Sequence, residues 1–259
     1  MSDPTSGPTG TRIRPLVALR AMRGLLRDRE DTRQAFLLVE ALRGKTTLRQ
    51  FARFCETDGG RALLAEKPSL LAHLSDRKSL AALPPGSLGR AYFDFVSEEN
   101  LSADGLVEAS KIRPTPPPAN DLTWFRERNR EMHDLLHVTA GYGRDPLGEA
   151  CVLAFTFAQN RSKGAAVIAM VGAWRNLRRL KTLRAPRAVW EAYRLGRRAL
   201  WLIGADWENL LAQPLATVRA RFRVATLTQY PRLRERSVAA VAAEAARLAT
   251  PTRPAIASS

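Results

Sequence analysis

His133, Asp134, His137 and Glu149 are the residues whose types and spacing could do chemistry in this chain of 259 residues. Two of its three histidines stand four apart in HDLLHVTAGYGRDPLGE, residues 133–149. On a helix, positions i and i+4 share a face, so the two imidazoles project together. Asp134 lies about 100° round from His133 but three residues before His137, and so borders the same face. This geometry lets the two histidines of an H-E-x-x-H helix hold one zinc ion. Here the acid is aspartate, one methylene shorter. It either ligates the ion or supports a ligand from behind, and spacing does not decide which. A tetrahedral or octahedral site needs more ligands, and Glu149 is the best placed. Its neighbours Val152, Leu153, Phe155 and Phe157 cover most of a helix surface, which predicts a buried helix. A lone ionised carboxylate there is costly unless paired or metal-bound. The glycine-rich loop would turn the chain and bring Glu149 back over the first helix. The bland alternative is a surface histidine pair, with Glu149 favouring a helix N-terminus.

Arg126 and Arg130 precede His133 by seven and three residues on the same stripe. They form either an exposed basic edge or, at Arg130, a clamp for an anionic substrate group beside the metal, since guanidinium matches carboxylate geometry. His73 in SLLAHLSD is expected to be structural, and Cys151 a small buried apolar residue. A phosphohydrolase of the histidine–aspartate type, suggested by HD alone, needs further ligands on separate helices, and only His73 is left to serve.

The elements that must position these groups read as helices. RPLVALRAMRGLLRD places Leu16, Leu19, Met22, Leu25 and Leu26 at helical spacing. DTRQAFLLVEALRG is capped by Asp31 and ends on Gly44, and TTLRQFARFCETDGG ends on its glycines with Phe51 and Phe54 on one face. ALPPGSLGRAYFDFVSEEN turns at its prolines and becomes helical near Leu88. RPTPPPAN, residues 113–120, is an extended connector. Behind it, DLTWFRERNREMHDLLHVTAG is one helix capped by Asn120 or Asp121. EACVLAFTFAQ opens a second helix near Glu149, GAAVIAMVGAW (164–174) is a buried helix, and SVAAVAAEAARLAT an alanine-rich one. No segment alternates convincingly with period two, so no sheet is expected. The expectation is an all-α fold, a single multi-helix domain with a metal site between two helices. A disordered tail covers 1–14, the helical domain 15–230, and the alanine-rich helix with its tail 231–259.

With 45% hydrophobic residues the chain can bury a sizeable core. Two cysteines are too few for a disulfide framework or a thiolate metal site, which fits a reducing cytoplasm. The start, MSDPTSGPTGTRIRP, has no apolar run behind its charges and is not a secretory signal. No window reaches the ~18 apolar residues of a spanning helix, so work at a membrane would mean lying on it. The net charge of +16 suits nucleic acid or an anionic membrane surface. Residues 161–198 hold eleven Lys or Arg (161, 163, 175, 178, 179, 181, 184, 187, 194, 197, 198) against one acid, Glu191. The bland reading is a solvated face. Neither a zinc-finger spacing nor an RNA-binding aromatic motif is present.

The H-D-x-x-H pattern followed by Glu149, with GYGRD..GE inside it, resembles the coenzyme Q biosynthesis protein 4 family. LLRDREDTRQAFLLVEALRG looks like the family's N-terminal helices. GGRALLAEKPSLLAHLSDRKSLAALPPGSLGRAYFDFV looks like its central segment, and AYRLGRRALWLIGADWENLLAQPLATVRARF like its C-terminal signature. The resemblance covers roughly residues 16–225; the stretch after Arg223 has no counterpart, and the basic run 175–198 is heavier than the family pattern. It implies a helical fold and a divalent metal, zinc by family, at His133, Asp134, His137 and Glu149. The implied role is in ubiquinone formation. The reaction would be oxidative decarboxylation of a polyprenylated hydroxybenzoate, the carboxylate at ring carbon 1 being replaced by hydroxyl. His133, Asp134 and Arg130 are the expected catalytic groups. Redox-inert zinc cannot itself activate oxygen, which leaves another metal or direct attack of oxygen on the electron-rich ring. The resemblance also implies an anionic membrane surface rather than nucleic acid as partner, other ubiquinone-biosynthesis enzymes and a homodimer. The expected location is the cytoplasm, peripheral on the inner face of the plasma membrane. The competing role is a non-catalytic scaffold that binds prenyl lipid and organises those enzymes around a structural metal.

Overall fold

The computed structural model describes residues 13–27, 32–98 and 120–249. The tail over 1–12, the cap expected at Asp31, the proline connector over 113–119 and the stretch from residue 250 onward lie outside the described residues. Among the described residues every regular element is a helix, and the nearest thing to a sheet is an isolated bridge between Ser87 and Pro214.

The centre is the helix Pro146–Asn160, α10 in chain order. Leu147, Cys151 and Val152 on it are fully buried and Phe155 is nearly so, as its apolar circumference predicts. It lies between α11 (Lys163–Leu180) and α12 (Arg184–Arg198). Small residues let these helices cross closely. A Cβ on Gly172 of α11 would sit 2.7 Å from the Ala150 Cβ, and one on Gly196 of α12 would sit 2.6 Å from the Phe155 carbonyl oxygen. Gln159, buried at the end of α10, donates to the Gly196 carbonyl at 2.6 Å and accepts from the Leu202 N–H at 2.9 Å. Its polar groups are thereby satisfied, as burial requires.

Around this trio the chain adds shorter helices. α1 (Pro15–Arg27) and α2 (Thr32–Leu42) form a pair with its own small core of Ala18, Ala21, Leu38 and Ala41, docked on Val167 and Ile168 of α11. α3 (Thr46–Glu56) buries Phe54 against Trp124 and Phe125. The glycines of CETDGG do not end α3 in the way expected. Thr57 caps a new helix, α4 (Asp58–Glu66), by accepting from the Gly60 N–H at 3.0 Å. Gly60 lies so close to the Phe54 carbonyl that a Cβ would fall 1.9 Å from its oxygen, so this glycine serves packing rather than termination. Then come α5 (Leu70–Ser75), α6 (Arg77–Ala82) and α7 (Leu88–Ser97).

Two expectations are corrected. The helix over 121–140 is two helices, α8 (Asp121–Glu131) and α9 (His133–Ala140), divided at Met132 with φ −75° and ψ −1°. α8 packs on α3 and α5, whereas α9 packs on α7, α10 and α14 (Leu215–Arg221), so one straight helix could not serve both sets of partners. The segment 164–174 is not a buried helix either. Ala165 and Ala169 are buried, but Met170 and Trp174 point outward, because α11 covers α10 with one face only. The last helix, α15 (Arg234–Ala249), lies on α10 and α11 and is tied to α11 by Arg179–Glu244 at 2.8 Å and by Arg236 donating to the Leu180 carbonyl at 3.0 Å. α13 (Trp207–Leu210) sits beside α5.

Candidate metal centre

Three groups converge where the start of α9 meets the first turns of α10. The His137 Nε2 lies 3.3 Å from the His133 Nε2 and 3.3 Å from a Glu149 carboxylate oxygen, and the His133 Nε2 lies 3.8 Å from the other Glu149 oxygen. Taking one potential ligand atom from each of the three residues, these atoms all fall within 4.8 Å of one another. His137 is fully buried, while His133 and Glu149 open to solvent.

The local sequence explains the convergence. Gly141 ends α9 in the left-handed region, φ 82°, which glycine adopts without a Cβ penalty. That turn carries the Tyr142 carbonyl back over α9, where it lies 3.1 Å from the His137 Nδ1. A carbonyl only accepts, so Nδ1 carries the proton, and in the neutral ring the Nε2 lone pair faces Glu149 and His133. Asp145 caps α10 by accepting from the N–H groups of Leu147 and Gly148, each at 3.2 Å, and Pro146 fills the first helical position. Gly148 passes the Gly143 carbonyl so tightly that a Cβ would fall 2.0 Å from its oxygen. Tyr230, from a distant part of the chain, locks this corner. Its hydroxyl donates to the Asp145 carboxylate and accepts from the Gly143 N–H at 2.8 Å. At the other end of α9, Arg219 of α14 donates to the Thr139 and Val138 carbonyls at 2.9 and 3.0 Å. These are carbonyls that a helix end leaves without partners.

The electrostatics favour an anion at Glu149. Burial pushes its carboxyl up, but bonds from His133 and His137 and their charge outweigh this and hold it down at about 2. Two imidazole nitrogens and a carboxylate facing one another with their lone pairs need a proton or a cation among them. The donor set, nitrogen and oxygen in a compact arrangement with one imidazole tautomer fixed by a carbonyl, fits a divalent transition metal.

The other expected site residues are placed differently. Asp134 does not join the three. Its carboxylate accepts from the Arg144 Nη2 at 2.9 Å. Arg130 is exposed near the end of α8, on the far side of the break at Met132, and Arg126 of the same helix comes within 4.0 Å of Glu40 on α2. His73 lies exposed, with Nδ1 2.9 Å from the Ser69 carbonyl, away from the cluster, and Cys151 is buried, as expected.

Several neighbours of the centre escaped sequence reasoning. The Phe95 ring of α7 lies 5.5 Å from the His137 ring, and the Arg144 guanidinium lies 4.7 Å over the same Phe95 ring. Tyr92, also on α7, is pushed up to about 12 by burial and by the nearby Asp134 charge. Arg144 was in plain view inside the motif, but nothing in a loop sequence says which way its side chain runs.

Fold and site together define an all-helical protein with a two-histidine, one-carboxylate centre at a helix–loop–helix corner. The chain belongs to the coenzyme Q (ubiquinone) biosynthesis protein Coq4 family, whose model matches residues 15–228. The mitochondrial ubiquinone biosynthesis protein COQ4 homolog of Danio rerio is 27% identical over 222 residues, 85% of this chain and 80% of that protein. The Rattus norvegicus homolog is 30% identical over 161 residues, 62% of this chain and 58% of that protein. A crystal structure of a candidate ubiquinone biosynthesis protein from Nostoc punctiforme shares the fold, with TM-score 0.61 and 20% identity over 83% of this chain and all of that one. Membership supports a role in ubiquinone biosynthesis. Among the described residues no helix is long and apolar enough to cross a membrane.

Proposed function

We propose that this protein removes the ring carboxylate of a polyprenylated hydroxybenzoate on the way to ubiquinone, at a metal held by His133, His137 and Glu149. The convergence of these three ligand groups, with the His137 tautomer fixed by the Tyr142 carbonyl, carries the reading. A bound divalent cation supplies Lewis acidity, stabilising negative charge on the substrate's carboxylate or phenolate oxygen as carbon dioxide leaves. The bond from ring carbon 1 to the carboxyl breaks, releasing carbon dioxide, and a carbon–oxygen bond replaces it; this two-electron oxidation balances with the net hydroxyl oxygen from water and dioxygen, the proposed oxidant, reduced to hydrogen peroxide. Zinc, the metal the family implies, serves the charge role only. The chain's own residues orient the reaction. His137 is immobilised by burial and by the Tyr142 carbonyl, Phe95 gives the site an aromatic wall, and Arg144 beside it supplies positive charge for the benzoate.

The substrate's isoprenoid tail calls for a lipid surface, and the proposed contact is the outer face of α11 and α12. Leu183, Arg187, Trp190, Arg194 and Arg197 form one exposed stripe along α12, and Met170, Trp174, Arg178 and Lys181 another along α11. Basic residues beside exposed tryptophan suit anionic headgroups, each Lys or Arg contributing about 1 kcal/mol near the surface. A peripheral place on a cytoplasmic leaflet, a homodimer and association with the other enzymes of the route belong to the same proposal.

The second reading is a scaffold with a structural metal. Its support is that the ligand corner is interlocked with the fold through Tyr230, Gly148 and Asp145. The deciding experiment measures metal in the purified full chain. It then supplies a short-tailed 4-hydroxy-3-methoxy-5-prenylbenzoate and dioxygen in detergent. Release of carbon dioxide with a hydroxylated ring, lost in Glu149→Gln, supports the enzyme. A metal-loaded protein that forms no product, while Glu149→Gln loses partner-enzyme binding, sinks it in favour of the scaffold.

A further inference from the structure

We infer that the outward side of α1 is a second lipid contact of this protein. Leu16 and Leu19 enter the boundary layer of an anionic bilayer, and Arg14, Arg20 and Arg23 meet its phosphates. The inference rests on the lipid surface proposed above for α11 and α12 and extends it to the N-terminal hairpin.

By side-chain size, α1 is turned inside out. It buries Ala18 and Ala21, whereas Leu16 stands 71% exposed and Leu19 is exposed as well. Leu16, Leu19, Arg20 and Arg23 fall three or four residues apart, on one side of the helix. Ile13 and Arg14, just before it, are also exposed. Aliphatic surface rimmed by charge marks a place of contact. A turn of the helix cannot relieve this exposure, because the inner side is already filled by Ala18 and Ala21 packed on Leu38 and Ala41 of α2. Both ends of α1 are tied. The Arg14 N–H donates to the Ala41 carbonyl at 2.8 Å, and the Arg175 guanidinium of α11 donates to the Leu25 carbonyl at 2.6 Å. α2 is seated hard on α11, where a Cβ on Gly164 would fall 2.5 Å from the Val39 Cα.

Charge chooses the occupant. From Ile13 to Arg27 the chain carries arginines and no Asp or Glu. A second copy meeting this side across a two-fold axis would set arginine against arginine. Nucleic acid would take the arginines but offers the aliphatic side chains nothing to bury against. An anionic bilayer takes both, and helices that combine an apolar stripe with basic residues lie in its interface plane. The Arg175 bond also sets the end of α1 beside α11, one residue from the half-exposed Trp174, so one bilayer can meet both contacts.

The test sediments the full chain with vesicles of phosphatidylcholine, with and without phosphatidylglycerol. Wild type should prefer the anionic vesicles. Leu16→Ser/Leu19→Ser should weaken that binding at least about tenfold, the order expected when two leucines no longer leave water. Arg20→Gln/Arg23→Gln should shrink the preference for anionic vesicles and its sensitivity to salt. Depth is read directly with an environment-sensitive dye on Leu16→Cys in a Cys55→Ser background, the remaining Cys151 being buried. Its emission should shift to the blue on anionic vesicles, and an unshifted dye on bound protein overturns the inference. If Leu16→Ser/Leu19→Ser does not fold, this dye decides alone. Unchanged vesicle binding in Leu16→Ser/Leu19→Ser, with binding weakened in Trp190→Ser, overturns the inference and leaves the α11–α12 surface standing. A wild type that binds no anionic vesicle defeats both. If Leu16→Ser/Leu19→Ser instead turns a dimer into a monomer in sedimentation velocity, the side belongs to a subunit interface and the inference falls.

Discussion

The ligand corner and the outer face of α11 and α12 are built on opposite principles. In the corner almost every residue from His133 to Glu149 has a fixed partner. Gly141 turns the chain, Tyr142 orients His137, Asp145 caps, Gly148 clears a carbonyl, and Tyr230 arrives from 81 residues beyond Glu149 to hold the loop. On the outer face, Trp190 stands 61% exposed and Trp174 50% exposed, and most of the surrounding arginines point to solvent. The corner is a place where a ligand's position is set before it binds. The face is a place where charge and apolar surface are displayed and a partner's position is left open. Chemistry needs the first, and reversible docking needs only the second.

That contrast can be broken most severely at the corner. Glu149→Gln should remove stoichiometric metal and all product while the chain stays folded, because the side chain is 40% exposed and no core packing depends on it; elemental analysis and circular dichroism read both. Retained metal would show that the cluster is not the binding site. Gly148→Ala should cost about 3 kcal/mol or more, the range of overpacking with backbone shift, because its Cβ meets the Gly143 backbone rather than a movable side chain. Urea unfolding measures this, and a value below about 1 kcal/mol would mean that the loop gives way.

Smaller changes sharpen the comparison. Tyr230→Phe leaves the Gly143 N–H and the Asp145 carboxylate without a shared partner and should cost roughly 2 kcal/mol, with weaker metal binding as a result. Acid should act through Glu149. Its folded value near 2 lies below the ordinary 4.5, so the metal-free protein gains stability from it above about pH 4.5 and loses that gain as pH falls towards 2. Thermal unfolding of the metal-free protein should therefore show a steeper loss across this window than Glu149→Gln does; parallel curves would remove the histidine contacts as the cause. Trp190→Ser on the outer face should change stability by less than about 0.5 kcal/mol yet reduce binding to anionic vesicles. Unaltered vesicle binding would move the docking surface elsewhere.

Much of this is legible in the sequence. The i, i+4 histidines, the apolar circumference of α10 and the N-terminal position of Glu149 led to a metal between two helices, and period-3.6 patterning with no alternation led to an all-helical fold. The miss at Met132 arose because the sequence 121–140 keeps a helical pattern throughout, and only its different packing partners on the two sides require the break. The miss at 164–174 arose because alanine and glycine are read as core residues, although their small size here serves the approach of α11 to α10 on one face alone.

By itself the sequence determined the types of donor, their register on α9 and α10, the sign of the charge and the family. The tertiary structure alone decided that Asp134 pairs with Arg144, that Arg130 stands apart, and that Tyr230 and Arg219 brace the two ends of the ligand segment. The physical reason is range. Helical periodicity fixes neighbours within a turn or two, whereas an ion pair across a loop, or a hydroxyl from another element, depends on how the whole core packs.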